Sequence, residues 1–219
     1  PLKYYKLDAM ILFSDILLIP WAMGQKLKFV QNIGPVLTPL NLENYHQIKN
    51  IDVSKFYNIS NAIKRVKRNA KNSIDLIGFS GAPWTLACYM IEGGTSRNFE
   101  KIRRFLWMDE KFIYRLVDQL IYSVCDFLEL QAKAGADVLM IFDTWSHMIP
   151  CQFWKDLSII PTSKIIKELR KRNIDCPIIG FPFKAGEKLI EYSYESEVDV
   201  VSIDWNTSLF WTTNNINPN

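Results

Sequence analysis

The stretch Asp75–Gly94 constrains the fold most, because it has the pattern of a buried strand that leads through a glycine-rich loop into a short helix. Leu76, Ile77 and Phe79 form a compact apolar run typical of such a strand. Pro83 suits the first turn of a helix, and the pair Gly93–Gly94 predicts where that helix ends. In α/β folds, the loop that follows such a strand carries the chemistry.

The rest of the chain repeats this pattern. Continuous apolar runs predict strands at 9–13, 74–79, 138–142, 177–181 and 198–203. Apolar residues at helical spacing predict helices at 54–69, from Asp109 to Gly135, from Pro161 to Asn173 and at 187–194. Strands of continuous apolar sequence that alternate with helices indicate a parallel sheet covered on both faces, and so the α/β class.

Polar residues follow the predicted strands and predict a common site. They are Asp15, Ser80, Asp143, Thr144 and Asp204. In a barrel of parallel strands these positions would converge on one mouth. The sequence has neither a dinucleotide fingerprint nor a phosphate-binding glycine loop, which favours a barrel over a Rossmann fold. The residues alone therefore predict an α/β barrel enzyme without specifying its reaction.

Composition excludes several other classes of protein. The 219 residues are 48% hydrophobic and 22% charged, as in an ordinary globular protein, and the net charge of +3 is too small to indicate a nucleic-acid partner. The four cysteines are widely separated, so a zinc site is not expected. We expect these cysteines to be reduced thiols in the cytoplasm instead. The apolar run 9–23 contains Asp15 and Pro20 and is shorter than the roughly 20 residues of a membrane span.

Four stretches together resemble one enzyme family. The run Gly78-Phe-Ser-Gly-Ala-Pro-Trp-Thr-Leu, continuing to Tyr89-Met-Ile-Glu-Gly-Gly94, is similar to the signature of the uroporphyrinogen decarboxylase family. Three further stretches resemble the family in the same order, and the likeness spans nearly the whole chain. They are Leu7-Asp-Ala-Met-Ile-Leu-Phe-Ser-Asp-Ile-Leu17, Ala134-Gly-Ala-Asp with Ile141-Phe-Asp-Thr-Trp145, and Val198-Asp-Val-Val-Ser-Ile-Asp-Trp205.

The resemblance implies a (β/α)8 TIM-type barrel in which the five predicted strands are about the second to the sixth. A complete barrel of this kind usually has about 250 residues, so we expect residues 1–219 to be a single domain that is a fragment of one. The family's catalytic arginines would then lie upstream of Pro1, and its substrate-binding histidine would lie beyond Asn219.

The reaction that the resemblance implies is the conversion of uroporphyrinogen III to coproporphyrinogen III, in which four acetate side chains lose carbon dioxide and become methyl groups. The family uses no metal or organic cofactor. Its members are cytoplasmic homodimers that act in porphyrin and haem synthesis. Neither a nucleic-acid partner nor a membrane is expected.

Asp15 is the catalytic residue that the resemblance implies. Its carboxylate would accept hydrogen bonds from pyrrole N–H groups and oppose the positive charge that forms when a pyrrole carbon is protonated. The residue type and position alone are equally compatible with Asp15 capping the next turn.

The resemblance also implies five substrate-binding residues. Tyr89 would bind a substrate carboxylate, and Thr144, where the family carries a serine or a similar hydroxyl, would bind another. Phe13 and Phe142 would form apolar walls against the macrocycle, and Lys184 would pair with substrate carboxylates. Considered singly, Tyr89, Phe13 and Phe142 are more typical of a core and Lys184 of a surface, whereas Thr144 could equally cap a turn.

Two alternative functions remain open. A cobamide-linked methyltransferase of the same superfamily would hold zinc through a His-x-Cys pair and a distant cysteine, but neither His46 nor His147 stands two residues before a cysteine. A catalytically inactive, truncated product is the alternative from a different class, since the family's catalytic arginines would lie outside this chain.

Overall fold

The computed structural model describes residues 4–32, 34–70 and 74–216. Seven strands lie within these ranges: β1 (Ala9–Ile11), β2 (Leu27–Val30), β3 (Gly34–Leu37), β4 (Asp75–Gly81), β5 (Val138–Asp143), β6 (Ile178–Pro182) and β7 (Val200–Val201). Eight α-helices accompany them: α1 (Leu18–Ala22), α2 (Tyr57–Ala70), α3 (Pro83–Glu92), α4 (Glu100–Met108), α5 (Glu110–Ala134), α6 (Ile160–Lys171), α7 (Lys188–Glu195) and α8 (Leu209–Asn215).

Five strands form a parallel sheet in the order β1-β4-β5-β6-β7. Each strand lies beside the next strand of the sheet along the chain, with at least one helix between them, as in a series of β/α units. The α/β class and all five predicted strands are therefore confirmed. Strand β7 is shorter than predicted, because only Val200 and Val201 pair with β6.

The predicted helix ends are also confirmed. Gly93 and Gly135 follow α3 and α5 with φ of 91° and 113°, in the left-handed region that glycine tolerates best. Pro83 occupies the first turn of α3. The carboxylate of Asp109 accepts a hydrogen bond from the backbone N–H of Phe112 and so caps α5.

One face of the sheet packs against the helices. Gly78 of β4 lies so close to α5 that a Cβ atom there would be about 3.0 Å from the side chain of Gln131. Gly180 of β6 lies under Tyr192 of α7 in the same way. Both glycines are on the helix side of the sheet, and the long helix α5 contributes much of the buried core between the two layers.

Aromatic side chains line the opposite face of the sheet. The ring of Phe142 contacts Phe79 of β4 and Phe181 of β6, with centroids 5.5 and 5.8 Å apart and the rings nearly perpendicular. In a barrel this is the inner face. Ile11, on β1, and Phe13, just beyond it, are 49% and 82% exposed, so part of this face is open to solvent.

Several elements differ from those predicted. No helix was predicted directly after β1, but this region contains helix α1, and residues 27–37 form the antiparallel hairpin β2–β3. Helix α4 was not predicted. Within residues 4–32, 34–70 and 74–216, none of the helices has both the length and the apolar character required to cross a bilayer.

Candidate functional site

Asp15 lies four residues beyond β1, at the start of the turn that leads into α1. Its Oδ1 accepts a hydrogen bond of 2.9 Å from the backbone N–H of Leu17, and its carbonyl accepts one of 3.1 Å from Leu18. The turn-capping interpretation of Asp15 is therefore correct as geometry. It does not exclude the other interpretation, since the half-buried carboxylate also lines a cleft.

This cleft has a volume of about 500 Å³ and brings Asp15 and Tyr89 together. The volume falls in the range of about 300–1,000 Å³ that is typical of small-molecule sites. Glu92 adds a third ionisable side chain, and apolar walls come from Ile16, Leu17, Pro35, Val36, Leu37 and Pro39. The sequence therefore identified two of the residues that meet here.

The hairpin wall of the cleft is fixed to α3 by hydrogen bonds. The buried side chain of Gln25 donates to the carbonyls of Thr38 and Met90 at 2.8 and 2.9 Å. The backbone N–H of Leu37 donates to the carbonyl of Gly93 at 2.8 Å. A Cβ atom at Gly93 would lie 2.8 Å from the ring of Pro39, so only glycine allows this approach.

Tyr89 lies on α3 and is partly buried. Burial raises the pKa of its hydroxyl, the indole N–H of Trp145 lowers it, and the negative charge of Asp15 raises it further, with a net rise above the usual value of 10. The hydroxyl is therefore protonated at neutral pH. In this state it can donate a hydrogen bond to an anion in the cleft.

Two hydrogen bonds hold the segment after β5 against α3. The backbone N–H of Trp145 donates to Thr85 Oγ1 at 3.1 Å, and the carbonyl of Trp145 accepts from the indole of Trp84 at 2.9 Å. Thr144, which precedes Trp145, is partly buried and does not contribute to the cleft of Asp15 and Tyr89. The predicted binding role of Thr144 stays a prediction.

Asp143 and Ser80 do not face the mouth, contrary to the expectation from sequence. Asp143 is 1% exposed, and its two carboxylate oxygens accept hydrogen bonds of 2.8 Å from Thr85 and Ser158 on the helix side of the sheet. Ser80 is fully buried and donates to the carbonyl of Gly81. Successive strand residues point to opposite faces, so the neighbour of inward-facing Phe142 must point outward.

Burial also changes the ionisation of Asp143. Desolvation raises its pKa to about 6, and the two hydrogen bonds from Thr85 and Ser158 only partly oppose this rise. The group is thus a buried carboxyl group that titrates just below neutral pH. It lies beneath the loop of the candidate site and supports that loop from the helix layer.

The other predicted residues lie at or beyond the ends of strands and do not line this cleft. Phe13 is largely exposed beyond β1, and Phe142 forms the aromatic row of that face. Lys184 is exposed beyond β6 in a left-handed conformation, with φ of 56° and its Nζ 5.2 Å from the centre of the Phe183 ring. The structure therefore places Phe13, Phe142 and Lys184 along the edge expected for the mouth.

Asp204 stabilises the turn that carries Lys184. Its carboxylate accepts hydrogen bonds from the backbone N–H groups of Lys184 and Asn206 at 2.9 and 2.8 Å. The carboxylate is thus engaged by backbone rather than open to solvent. Among the residues that the structure describes, no three His, Cys, Asp or Glu side chains are grouped so as to hold a metal ion.

Sequence reasoning missed Glu92, Thr85 and Trp145 as parts of the site. Glu92 belongs to the signature run, but its role in the cleft depends on the hairpin, which was not predicted. Thr85 and Trp145 meet through a contact between residues 60 positions apart. No local pattern reports such a contact, although both residues lie in stretches that the family likeness includes.

Comparison with known proteins agrees with this architecture. The family model described as uroporphyrinogen decarboxylase (URO-D) matches residues 1–217. A uroporphyrinogen decarboxylase of Legionella pneumophila (strain Corby) is 40% identical over 213 residues, which are 95% of this chain and 60% of the relative. That of Gluconobacter oxydans (strain 621H) is 36% identical over 208 residues, with 93% and 58% covered.

A solved structure described as a methyltransferase from Methanosarcina mazei shares the fold, with a TM-score of 0.75 and 15% identity over 97% of this chain and 62% of that chain. The described sheet and its helices are thus part of a TIM-type barrel, as predicted. The chain spans about 60% of the length of the curated relatives it matches. On the family match over residues 1–217, this chain belongs to the uroporphyrinogen decarboxylase family.

Proposed function

We propose that this chain is part of a uroporphyrinogen decarboxylase that converts uroporphyrinogen III to coproporphyrinogen III. The observation that carries the proposal is the cleft in which Asp15 and Tyr89 meet, within a chain 36–40% identical to proteins named for this activity. Each of the four acetate side chains would lose carbon dioxide and gain a proton.

Asp15 supplies the electrostatic part of this mechanism. Protonation of a pyrrole carbon spreads a positive charge over the ring and its nitrogen, and the pyrrole N–H then donates to the carboxylate of Asp15. Two unit charges about 4 Å apart interact by about 4 kcal/mol at an effective dielectric constant near 20. If the interaction forms mainly in the transition state, it corresponds to about a thousandfold in rate.

The remaining residues bind the substrate. The Tyr89 hydroxyl donates to a substrate carboxylate, which is consistent with its raised pKa. The hydroxyl of Thr144 binds a second carboxylate, and the exposed ammonium of Lys184 pairs with further ones as the macrocycle lies across the mouth. Phe13 and Phe142 contact the macrocycle as apolar walls.

The reaction requires no metal or organic cofactor, because the protonated pyrrole itself accepts the electron pair that carbon dioxide leaves behind. We further propose that residues 1–219 form a single domain. The enzyme would be a cytoplasmic homodimer in porphyrin and haem synthesis, with neither a nucleic-acid partner nor a membrane association.

The methyltransferase alternative is less well supported. The similarity to the Methanosarcina mazei structure is 15% in sequence and concerns the fold, whereas identity to proteins named uroporphyrinogen decarboxylase reaches 40%. The alternative of a catalytically inactive, truncated product is tested by measuring the decarboxylase activity of the protein.

The substitution Asp15→Asn in the full-length product of the gene tests the mechanism. Asparagine keeps the oxygen that accepts from Leu17, so the turn is preserved while the charge is lost. We expect turnover of uroporphyrinogen III to fall at least a hundredfold with an unchanged melting temperature. Asp8→Asn, at an exposed position before β1, is the control and should turn over normally. Normal turnover by folded Asp15→Asn would remove Asp15 from the mechanism.

A further inference from the structure

We propose that Thr85 is a positioning residue, which holds Trp145 through its hydroxyl and thereby fixes the side chain of Tyr89 against the cleft. This inference rests on the proposed function for its substrate. It assigns a role to a buried threonine that does not line the cleft.

The hydroxyl of Thr85 joins two partners at once. Thr85 is fully buried in the first turn of α3, donates to Asp143 Oδ1 at 2.8 Å and accepts from the backbone N–H of Trp145 at 3.1 Å. A hydroxyl has one proton, so the bond to Asp143 fixes its direction. The lone pairs of Thr85 are then left for the N–H of Trp145.

Asp143 is itself held from a second side. Its Oδ2 accepts a hydrogen bond of 2.8 Å from Ser158, in the turn of π-helix 155–159 that leads into α6. The carboxylate therefore cannot rotate without breaking a bond to one partner. Thr85 thus has a fixed acceptor on the helix side of the sheet.

The backbone of Trp145 is bound at both ends by α3. Thr85 accepts from its N–H, and the indole of Trp84 donates to its carbonyl at 2.9 Å. The ring of Trp145 lies between Phe99, at 4.6 Å between centroids, and Tyr89, at 6.1 Å. The two backbone bonds therefore set where this ring lies relative to Tyr89.

The indole nitrogen of Trp145 points to the role of this arrangement. It is buried and has no hydrogen-bond partner among the residues that the structure describes. The ring of Trp145 therefore acts on Tyr89 by packing beside it, and the nearby indole N–H lowers the pKa of the Tyr89 hydroxyl against the effect of burial. The phenolic proton stays available for donation to a ligand in the cleft.

This arrangement predicts an effect on binding rather than on the chemical step. Tyr89 contacts a substrate carboxylate that does not change during the reaction at a neighbouring acetate. Removing an interaction that is made equally in the ground state and the transition state raises KM and leaves kcat unchanged. Loss of the Thr85 hydroxyl should therefore weaken affinity and have little effect on turnover at saturation.

The test compares Thr85→Val with Thr85→Ser in the full-length product of the gene, each with Tyr89 intact and with Tyr89→Phe. Valine keeps the shape and removes the hydroxyl, and serine keeps the hydroxyl. The readouts are KM and kcat for uroporphyrinogen III, and the dissociation constant of uroporphyrin III by fluorescence quenching. With Tyr89 intact, we expect valine to raise both KM and the dissociation constant about five- to tenfold with kcat within twofold, and serine to restore both.

The Tyr89→Phe background separates positioning from general stability. There, Thr85→Val should change KM and the dissociation constant less than twofold, because the group through which it acts is gone. An equal effect in both backgrounds, no rescue by serine, or no effect of Tyr89→Phe on affinity would overturn the inference. If Thr85→Val does not fold, Trp145→Phe replaces the ring that lies between Phe99 and Tyr89 with a smaller one and must give the same pattern.

The proposed function can fail separately. Absence of carbon dioxide release by the wild type would reject the decarboxylase assignment. The dissociation constants of uroporphyrin III would still support the positioning role of Thr85, or reject it, through the same comparison of backgrounds.

Discussion

The buried carboxyl group of Asp143 predicts a specific dependence of stability on pH. It is 1% exposed and is held by Thr85 and Ser158, and burial raises its pKa to about 6 from an ordinary value of 3.8. The substitution Asp143→Asn keeps a similar shape and can still make hydrogen bonds, but it does not titrate. Comparison of the two proteins therefore isolates the ionisation of this one group.

The sign of the effect follows from proton linkage. Between about pH 4 and pH 6 the folded protein binds the proton of Asp143 more tightly than the unfolded chain, so unfolding releases it. The stabilisation is fully present below the unfolded pKa and is lost as the pH rises through 6. A difference of about two pKa units at 1.36 kcal/mol each amounts to about 3 kcal/mol.

Urea denaturation of the full-length protein at constant ionic strength measures this difference. From pH 4 to pH 7, the unfolding free energy of the wild type should fall by most of this amount, about 2.5 kcal/mol, relative to that of Asp143→Asn. Asp118→Asn, which changes the charge by the same amount in an exposed ion pair with Lys164, reports any trend due to net charge alone. A constant difference between wild type and Asp143→Asn, or one of opposite sign, would refute the reasoning.

Three further predictions concern stability. Burial acts to raise the pKa of Asp137, but hydrogen bonds from Lys67 and the backbone N–H of Leu76 outweigh it and lower the pKa. Asp137→Asn should therefore lose about 1 kcal/mol of unfolding free energy at pH 7, and the loss should disappear as the pH falls below about 4; an equal loss at pH 3 and pH 7 would contradict this. Gly180→Ala places a Cβ atom 2.5 Å from the hydroxyl of buried Tyr192 and should cost about 1–3 kcal/mol in urea denaturation, whereas the control Gly94→Ala meets no atom within 4 Å and should be nearly neutral. The 219 residues expressed alone should aggregate, because apolar side chains on the inner face are exposed, and a monomeric, cooperatively melting chain in analytical ultracentrifugation and calorimetry would contradict this.

The sheet and its main helices were predictable because their signals are local. Gly135 ends α5 and Asp109 begins it, and both functions depend only on residues within a few positions. The buried strand β5 is a continuous apolar run whatever surrounds it. The sequence alone is therefore sufficient to predict such elements.

The missed elements depend on contacts distant in the chain. Strand β2 is mostly exposed and gives no apolar run, and its hairpin is held by Gln25, which bonds to Met90, 65 positions away. Helix α4 is preceded by Phe99, whose φ is 51° and whose side chain cannot cap the helix as Ser, Thr, Asp or Asn would.

The candidate site was predictable in part for the same reason. Asp15 and Tyr89 were found through stretches of family likeness, and the structure places them in one cleft. Asp143 was assigned to the mouth because its polar side chain marks the end of a strand. The face of the sheet to which that side chain points depends on the exact register of the strand, which the sequence does not show. A difference of one position reverses the face.

We have proposed that this chain is part of an enzyme that removes four carboxyl groups from one tetrapyrrole. The most direct measurement is to supply uroporphyrinogen III, under anaerobic conditions and without added metal, to the full-length product of the gene and to separate the oxidised products by chromatography. The account predicts successive seven-, six- and five-carboxyl intermediates, then coproporphyrin III, with four molecules of carbon dioxide per tetrapyrrole. Unchanged uroporphyrin after incubation with folded protein would contradict it.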